Sequence, residues 1–411
     1  MGHHKKEIKV ANDESVRLGE GLRSVLMVGG YAAGLAGLLV ALVMGMVEGD
    51  RLRHFFFSYL TNYLFFLSIA LGALGFIALQ HLTRAGWSAS VRRITEIIAM
   101  TLAPMALLFV PILFSVLSGS DSLFSWNSAE AMEHNPVLAG KAPYLNSFFF
   151  AIRAVIYFAV WILAARFFFA KSTAQDESGD PELTLRMEKK SPLVVFAFAL
   201  TVTFASIDWA MSLDPMWFST MFGVYFFAGA MLAFFSFTLI CCSTLQSWGK
   251  LTEVITVDRY HDLSKFIWGF TLFWGYIAFS QYLLYWYGNI PEETVWYLVR
   301  QNAAWRNVSL LLLFGQFIIP FFGTMSRHVR RNRPLMVGWA TFILVMHWFD
   351  IYWLVMPQFS PDALPLGLME LACLIGLGGF FIGNLAWIAA ERPLLALRDP
   401  RLTEALTLEN L

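Results

Sequence analysis

Long apolar segments alternate with short polar segments along most of this chain. A helix that crosses a bilayer needs about 20 consecutive, mostly apolar residues. Ten segments meet this condition and predict ten membrane-spanning helices, at 24–47, 55–80, 94–118, 147–170, 192–213, 217–241, 264–288, 304–325, 335–357 and 366–390. Pro104 and Pro111 predict kinks in helix 3, because proline cannot donate a backbone hydrogen bond. The pattern therefore indicates an all-α integral membrane protein with short connections.

The basic residues predict how these helices are oriented. Lys and Arg accumulate on the cytoplasmic side of membrane proteins. If both termini are placed in the cytoplasm, the cytoplasmic segments hold 23 of the 29 Lys and Arg residues. The remaining six are Arg51, Arg53, Lys141, Arg153, Arg300 and Arg306. We therefore expect both termini to be cytoplasmic.

Composition and residue spacing argue against several classes of function. The chain is 58% hydrophobic and 14% charged, whereas soluble domains carry about 25% charged residues. A net charge of zero without a basic stripe gives no indication of a nucleic-acid partner. The three cysteines lack metal-ligand or haem-attachment spacing, and only His347 lies deep in a predicted span. We expect no metal, no covalently bound cofactor and no redox centre within this chain.

Helices 2–5 and 6–9 carry matching residue patterns in the same order. Tyr144 precedes Arg153 by nine residues in helix 4, as Tyr297 precedes Arg306 in helix 8. Helices 5 and 9 end with an Asp and a Pro seven residues apart, at Asp208 and Asp350. The patterns predict two tandem four-helix bundles flanked by helices 1 and 10. The expected organisation has six parts: a cytoplasmic segment 1–23, flanking helix 24–47, bundles 48–213 and 214–357, flanking helix 358–390 and a cytoplasmic segment 391–411.

The two flanking helices carry small-residue faces. Gly30 and Gly34 are four residues apart in helix 1, and Gly379 and Gly383 are four apart in helix 10. Such spacing lets two helix backbones approach closely. Packing within this chain is the favoured explanation, and docking of a partner subunit is the alternative.

Ionisable residues inside a bilayer are costly unless they are paired or hydrated, so they mark candidate sites. Each bundle is expected to hold an Arg–Asp pair in its outer third. The candidates for a proton path or a quinone pocket are Arg153, Asp208, His54, Asn62, Arg306, His347, Asp350, Glu370 and Gln281. His347 shares a helix face with Asp350, and a carboxylate or His can accept the protons of a quinol. The structural alternative is that the pairs only join neighbouring helices.

A second set of candidates lies near the predicted cytoplasmic ends of helices 3 and 7. Glu96, His261 and Asp262 are candidates for an inner proton entrance. A solvated charged edge at the membrane surface is the favoured alternative for these residues.

Two long stretches carry a resemblance to a known family. They read SIDWAMSLDPMWFSTMFGVYFFAG from Ser206 to Gly229 and FSQYLLYWYGNIPEE from Phe279 to Glu293. Both resemble the polysulfide-reductase-type (NrfD-like) membrane subunits, and among them the smaller such subunit of bacterial alternative complex III. The resemblance extends from helix 1 through helix 10.

This resemblance implies a multi-pass subunit of a respiratory quinol:cytochrome c oxidoreductase in the bacterial inner membrane. The implied partners are a homologous larger NrfD-like subunit, an iron–sulfur subunit, and multihaem and monohaem cytochrome c subunits, with a terminal oxidase as a further candidate. The implied role is a proton path or a scaffold. Lipids and a quinone or menaquinone are the implied ligands, although the family usually places the quinol site in the larger subunit.

Two other functions stay open at this point. A secondary transporter would fit many helices, an internal repeat and buried charges. Against it, the two units share one orientation, and strongly interrupted helices with converging half-helix ends, which transporters often use, are not evident. A purely structural membrane anchor would tolerate the joint replacement of both partners of each buried pair by apolar residues.

Overall fold

The computed structural model describes residues 13–390 and 392–407, and this part of the chain forms helices and no strands. The long helices are numbered as predicted. They are α1 (Glu20–Glu48), α2 (Arg53–Leu82), α3 (Ala89–Met100, Leu102–Leu108 and Val110–Leu117), α4 (Ser147–Ser178), α5 (Glu182–Trp209), α6 (Phe222–Ser247), α7 (Val257–Gly288), α8 (Ala303–Leu311, Leu312–Ile318 and Ile319–Gly323), α9 (Arg333–Val355) and α10 (Leu368–Ala389).

Short helical segments occupy several connections. The α-helical ones are Ala129–His134, Pro136–Gly140, Pro291–Gln301, Arg327–Arg331 and Leu402–Thr407. The 3₁₀ turns are Asp13–Val16, Ser125–Asn127, Met211–Leu213 and Met356–Gln358. The helix Pro291–Gln301 is called the surface helix below.

Within the described residues, nine helices are long and apolar enough to cross a membrane. They match every predicted span except 264–288. That segment lies within α7, a helix of 32 residues in which Trp, Tyr and Gln replace many aliphatic side chains. A multi-pass membrane protein is therefore supported, and a tenth crossing by α7 stays a prediction.

Proline interrupts α3, as predicted. Pro104 and Pro111 have no backbone N–H, so the carbonyls one turn earlier lose their helical partners. The helix is accordingly divided into three segments, with breaks at Thr101 and Phe109. Helix α8 is also irregular, because Leu312–Ile318 forms a π-helix immediately before Pro320. Wide turns of this kind occur frequently at functional sites.

Helix α2 lies at the centre of the fold. Of its most apolar stretch, 94% is buried by the rest of the chain, whereas the corresponding fraction for α1 is 17%. Helices α3, α5, α6, α9 and α10 all pack against α2. A Cβ atom on Gly72 would lie 2.5 Å from the Ala230 carbonyl oxygen of α6. The backbones of α2 and α6 therefore meet at Gly72, and candidate residues on several helices converge on α2.

Helices α2–α5 contact one another, and so do α6–α9. These two groups are called the first and second helix sets. Helices α1 and α10 form a pair at the side of α2. Packing of α6 against α2 and α5 joins the two sets.

The glycine faces of α1 and α10 pack against each other. A Cβ on Gly30 would lie 2.8 Å from the Gly379 carbonyl oxygen, and a Cβ on Gly379 would lie 2.5 Å from the Gly30 carbonyl oxygen. Real Cβ contacts to backbone are longer, so only glycine fits at this crossing. Packing within the chain, the favoured explanation, is confirmed for these faces.

We expect Gly30→Ala to lower the melting temperature of the detergent-solubilised protein. Overpacking of this kind costs about 1–3 kcal/mol. The matched control is Gly29→Ala, because a Cβ there meets no atom within 4 Å and the gain in helix propensity is the same. Equal melting temperatures for the two variants would contradict the close α1–α10 contact.

Candidate functional site

The end of the helices where α2 begins is called the outer end, after the prediction from the basic residues. The opposite end is called the inner end. The candidate side chains fall into clusters at different depths between these two ends.

Arg153 and Asp208 form the predicted pair between α4 and α5. The Arg153 Nε and Nη2 atoms donate to the two carboxylate oxygens of Asp208 at 2.7 Å and 3.1 Å. The Tyr157 hydroxyl donates to Asp208 at 2.8 Å. The remaining guanidinium nitrogen, Nη1, donates to the Tyr144 carbonyl oxygen at 2.8 Å. Asp208 is therefore neutralised and well bonded, which suits a structural link between two helices.

The second predicted pair, Arg306 with Asp350, is not formed. Asp350 instead accepts hydrogen bonds from the Tyr225 hydroxyl and from Trp274 Nε1, the latter at 3.1 Å. His347 Nδ1 lies 3.7 Å from the same carboxylate. Arg306 is exposed near the start of α8. The two Arg–Asp spacings match in sequence, but donors from α6 and α7 occupy the Asp350 carboxylate.

His347 lies about 20 Å along α9 from its inner end, and its side chain is 1% exposed. Its Nε2 atom is 2.9 Å from the Ser68 hydroxyl on α2. A Cβ on Gly229 would lie 2.9 Å from His347 Cε1, so glycine in α6 makes room for the imidazole. This group, the central cluster, consists of Ser68, Tyr225, Trp274, His347 and Asp350.

Glu370 organises a second group at the outer end. One carboxylate oxygen accepts from the Ser58 hydroxyl at 2.8 Å and lies 2.8 Å from His54 Nε2. The other accepts from the Gly367 backbone N–H at 2.8 Å and so caps α10. His54 Nδ1 is 2.9 Å from Glu48, whose side chain is 37% exposed. This outer cluster leads from a solvent-accessible carboxylate to a fully buried one.

Asn62 connects the outer cluster to α9. Its amide nitrogen donates to the Ser58 carbonyl oxygen at 2.8 Å and to the Glu370 carbonyl oxygen at 3.3 Å. Its amide oxygen accepts from Trp348 Nε1 at 2.8 Å. Trp348 directly follows His347 in α9, so hydrogen bonds hold the helix of the central cluster against the outer cluster.

Gln281 belongs to neither cluster. Its amide oxygen accepts from the Ser219 hydroxyl at 2.9 Å, and its amide nitrogen donates to the Tyr297 hydroxyl at 2.8 Å. It joins α7 to the segment before α6 and to the surface helix.

The inner candidates do not form a solvated edge. Glu96 is 1% exposed and Asp262 is 8% exposed, so the favoured sequence interpretation is wrong. Glu96 pairs with Arg93 at 2.9 Å. Asp262 pairs with Arg259 at 3.1 Å and with Lys265 at 3.3 Å. Different basic partners therefore hold the two carboxylates. Formation of ion pairs at both positions offsets the cost of burying the acids.

His261, the third inner candidate, is buried at the beginning of α7, before the predicted span. Burial lowers the pKa of His261, and the charges of Lys265, Arg330 and Arg331 lower it further. Its imidazole is therefore mainly neutral near pH 7, and its surroundings disfavour the protonated form.

The sequence analysis did not identify several buried residues within or near these clusters. The most conspicuous is Arg300, a fully buried guanidinium whose centre lies 3.3 Å from the centroid of the Trp296 ring. Arg300 is one of the six basic residues outside the predicted cytoplasmic segments, and this position could have marked it as a candidate. Tyr225 and Trp274 were hidden by the abundance of aromatic residues. Ser68 and Gly229 carry no chemical signal of their own, since only the packing of α2, α6 and α9 gives them a role.

Replacement of Asp208 by Leu is expected to destabilise the protein by about 3–5 kcal/mol, because Arg153 is left buried and unpaired. The triple variant Arg153→Met, Tyr157→Phe, Asp208→Leu is expected to recover most of the loss. Thermal unfolding in detergent measures both effects. Equal destabilisation by the single and the triple variant would show that this pair does more than join helices.

Among the described residues, no group of three or more His, Cys, Asp or Glu side chains is placed to hold a metal ion.

In a comparison with known proteins, no protein-family model and no curated protein matches the chain. Its resemblance to the NrfD-like membrane subunits therefore stays a prediction from the two sequence stretches.

Proposed function

We propose that this chain is a membrane subunit of a respiratory quinol:electron-acceptor oxidoreductase and that its central cluster conducts protons. The assignment to such a complex, with an iron–sulfur subunit and cytochrome c subunits as partners, depends on the sequence resemblance. The proton path is supported by the contacts of His347 and Asp350. The two parts can be tested separately.

The observation that carries the proton path is the contrast between Asp208 and Asp350. A guanidinium forms an ion pair with Asp208 through two hydrogen bonds. Within the described part of the chain, no Lys or Arg lies within 4 Å of the Asp350 carboxylate, and its donors are a phenol and an indole. Ionisable side chains inside a membrane protein often form proton relays. Asp350 has the surroundings of a relay group, whereas Asp208 has those of a structural ion.

The imidazole of His347 faces one partner with each nitrogen. Nε2 contacts Ser68, and Nδ1 points to Asp350 at 3.7 Å. An imidazole can bind a proton at one nitrogen and release the proton from the other. We therefore assign His347 the transfer between the Ser68 side and Asp350.

The outer cluster completes the proposed route. Glu370 and His54 are within hydrogen-bond distance of each other, and His54 reaches the partly exposed Glu48. Proton transfer along these three groups would connect a buried carboxylate to solvent at the outer end. Asp350 and Glu370 share no hydrogen bond, so the step between them would need a bridging water.

We expect Asp350→Asn to lower coupled proton movement of the assembled complex at least tenfold, since acid–base groups typically contribute factors of about 10²–10⁴. The asparagine carbonyl can still accept from Trp274 Nε1, and its NH2 group can donate to the Tyr225 hydroxyl in place of the bond that Asp350 accepts, so assembly should persist. Quinol-dependent turnover and the pH change in proteoliposomes are the measurements. Asp121→Asn, at an exposed position of an outer-end loop, is the control. Unchanged turnover and coupling would reduce the central cluster to a structural role.

The assignment to a complex is tested by purification in mild detergent. We expect a multihaem cytochrome to co-purify with this chain. A haem-free monomer with substrate-dependent flux would favour the transporter alternative and overturn the proposed complex.

Gly229→Ala provides an independent test of the position of His347. The added methyl group would lie 2.9 Å from the imidazole, so the ring must shift from its position between Ser68 and Asp350. We expect reduced proton movement in the same assay with the complex still assembled. Gly269→Ala in α7 is the matched control, because a Cβ there meets no atom within 4 Å. Equal coupling in the two variants would argue against a fixed His347 geometry.

A further inference from the structure

A groove of about 410 Å³ lies between α7, the surface helix, α8 and α9. The polar side chains that line it are at its outer part and include Arg306, Gln301 and Tyr282. Farther along α8, toward the inner end, the lining becomes apolar with Leu313 and Phe317. Arg306 and Phe317 are separated by about 16 Å along the helix. The groove is therefore polar at one end and apolar at the other.

The polar part of the groove is lined by two arginines and, among the described residues, by no acid. Arg306 is exposed, and its guanidinium makes no hydrogen bond or ion pair within the described part of the chain. The neighbouring Arg300 is buried and donates to three backbone carbonyl oxygens, those of Trp296, Trp353 and Leu354. The described lining contains no Asp, Glu or His. The charge of Asp214 acts on Arg300, so the exposed guanidinium of Arg306 is the main source of positive potential in the groove.

Two phenol hydroxyls add further donors. The Tyr282 hydroxyl accepts a hydrogen bond from Gln301 Nε2 at 3.1 Å, and the Tyr297 hydroxyl accepts one from Gln281 Nε2 at 2.8 Å. Each hydroxyl therefore keeps its own proton to donate. An anion with several oxygen acceptors is the complement of this arrangement.

We propose that this groove binds an anionic phospholipid, with its phosphate at Arg306 and an acyl chain along Leu313 and Phe317. Charge complementarity selects the headgroup, and the apolar part selects a lipid over free phosphate. A quinol fits less well, because its oxidation needs a carboxylate or imidazole acceptor. Asp350 is such an acid, but it lies behind the side chains of Tyr225 and Trp274, which line the groove and donate hydrogen bonds to the Asp350 carboxylate.

Native mass spectrometry of the full chain, or of its complex, in detergent tests this site with phosphatidylglycerol and phosphatidylcholine. We expect the wild type to bind phosphatidylglycerol more tightly. Arg306→Gln should weaken that binding about fivefold, the contribution of one basic residue at a lipid surface, and leave phosphatidylcholine binding unchanged. Arg51→Gln, which removes another exposed arginine at the outer end, is the matched control and should have no effect.

Two further variants keep the test independent of folding defects. Arg306→Lys retains the charge and should retain most of the preference for phosphatidylglycerol. Leu313→Trp fills the apolar part from a half-exposed position and should weaken binding of both lipids. Equal binding of the two lipids by the wild type, or an undiminished preference in Arg306→Gln, would overturn the proposal.

Competition experiments separate the other ligands. Inorganic phosphate that displaces the lipid at equal concentration, or a quinol analogue that displaces it in the wild type but not in Leu313→Trp, would also overturn the assignment to a lipid. Binding is measured without turnover. Failure of the lipid site would therefore leave the proposed proton path untouched, and the converse also holds.

Discussion

The cost of placing an ionisable side chain among membrane-spanning helices governs how this protein is arranged. Bulk water does not surround such a charge, so each buried acid or base depends mainly on partners from neighbouring helices. Asp208 meets this requirement with a guanidinium, Glu370 with an imidazole, a hydroxyl and a backbone N–H, and Asp350 with a phenol and an indole. The three carboxylates are equally buried and yet chemically different.

Helix α2 supplies partners to both groups that we associate with proton transfer. Ser58 and His54 face Glu370 near its beginning, and Ser68 faces His347 deeper in the membrane. A helix packed on all sides can present polar side chains in several directions. Its own sequence therefore shows little amphipathic character. The role of each polar residue of α2 depends on the side chain that it contacts on a neighbouring helix.

Much of the fold could be predicted from the sequence, because long apolar segments and helix-breaking prolines act locally. The segments that became α1–α6 and α8–α10, and the breaks in α3, follow from these signals. The site could be predicted only in part. Arg153 and Asp208 were paired correctly because adjacent antiparallel helices bring their ends together. The same reasoning failed for Arg306, since the partners of Asp350 come from α6 and α7, and no spacing within α8 and α9 reveals them. The small residues Ser68 and Gly229 were beyond prediction for the same reason.

The glycine contact between α1 and α10 also has a consequence for biogenesis. The ribosome synthesises α1 before α2–α9 and α10 after them. The glycine face of α1 therefore has no partner until α10 has been made. During that interval α1 lacks α10, the helix with which it makes its closest backbone contacts. Packing of α1 against α10 is consequently a late event in folding. It joins the helices on either side of α2–α9 after those helices have been synthesised.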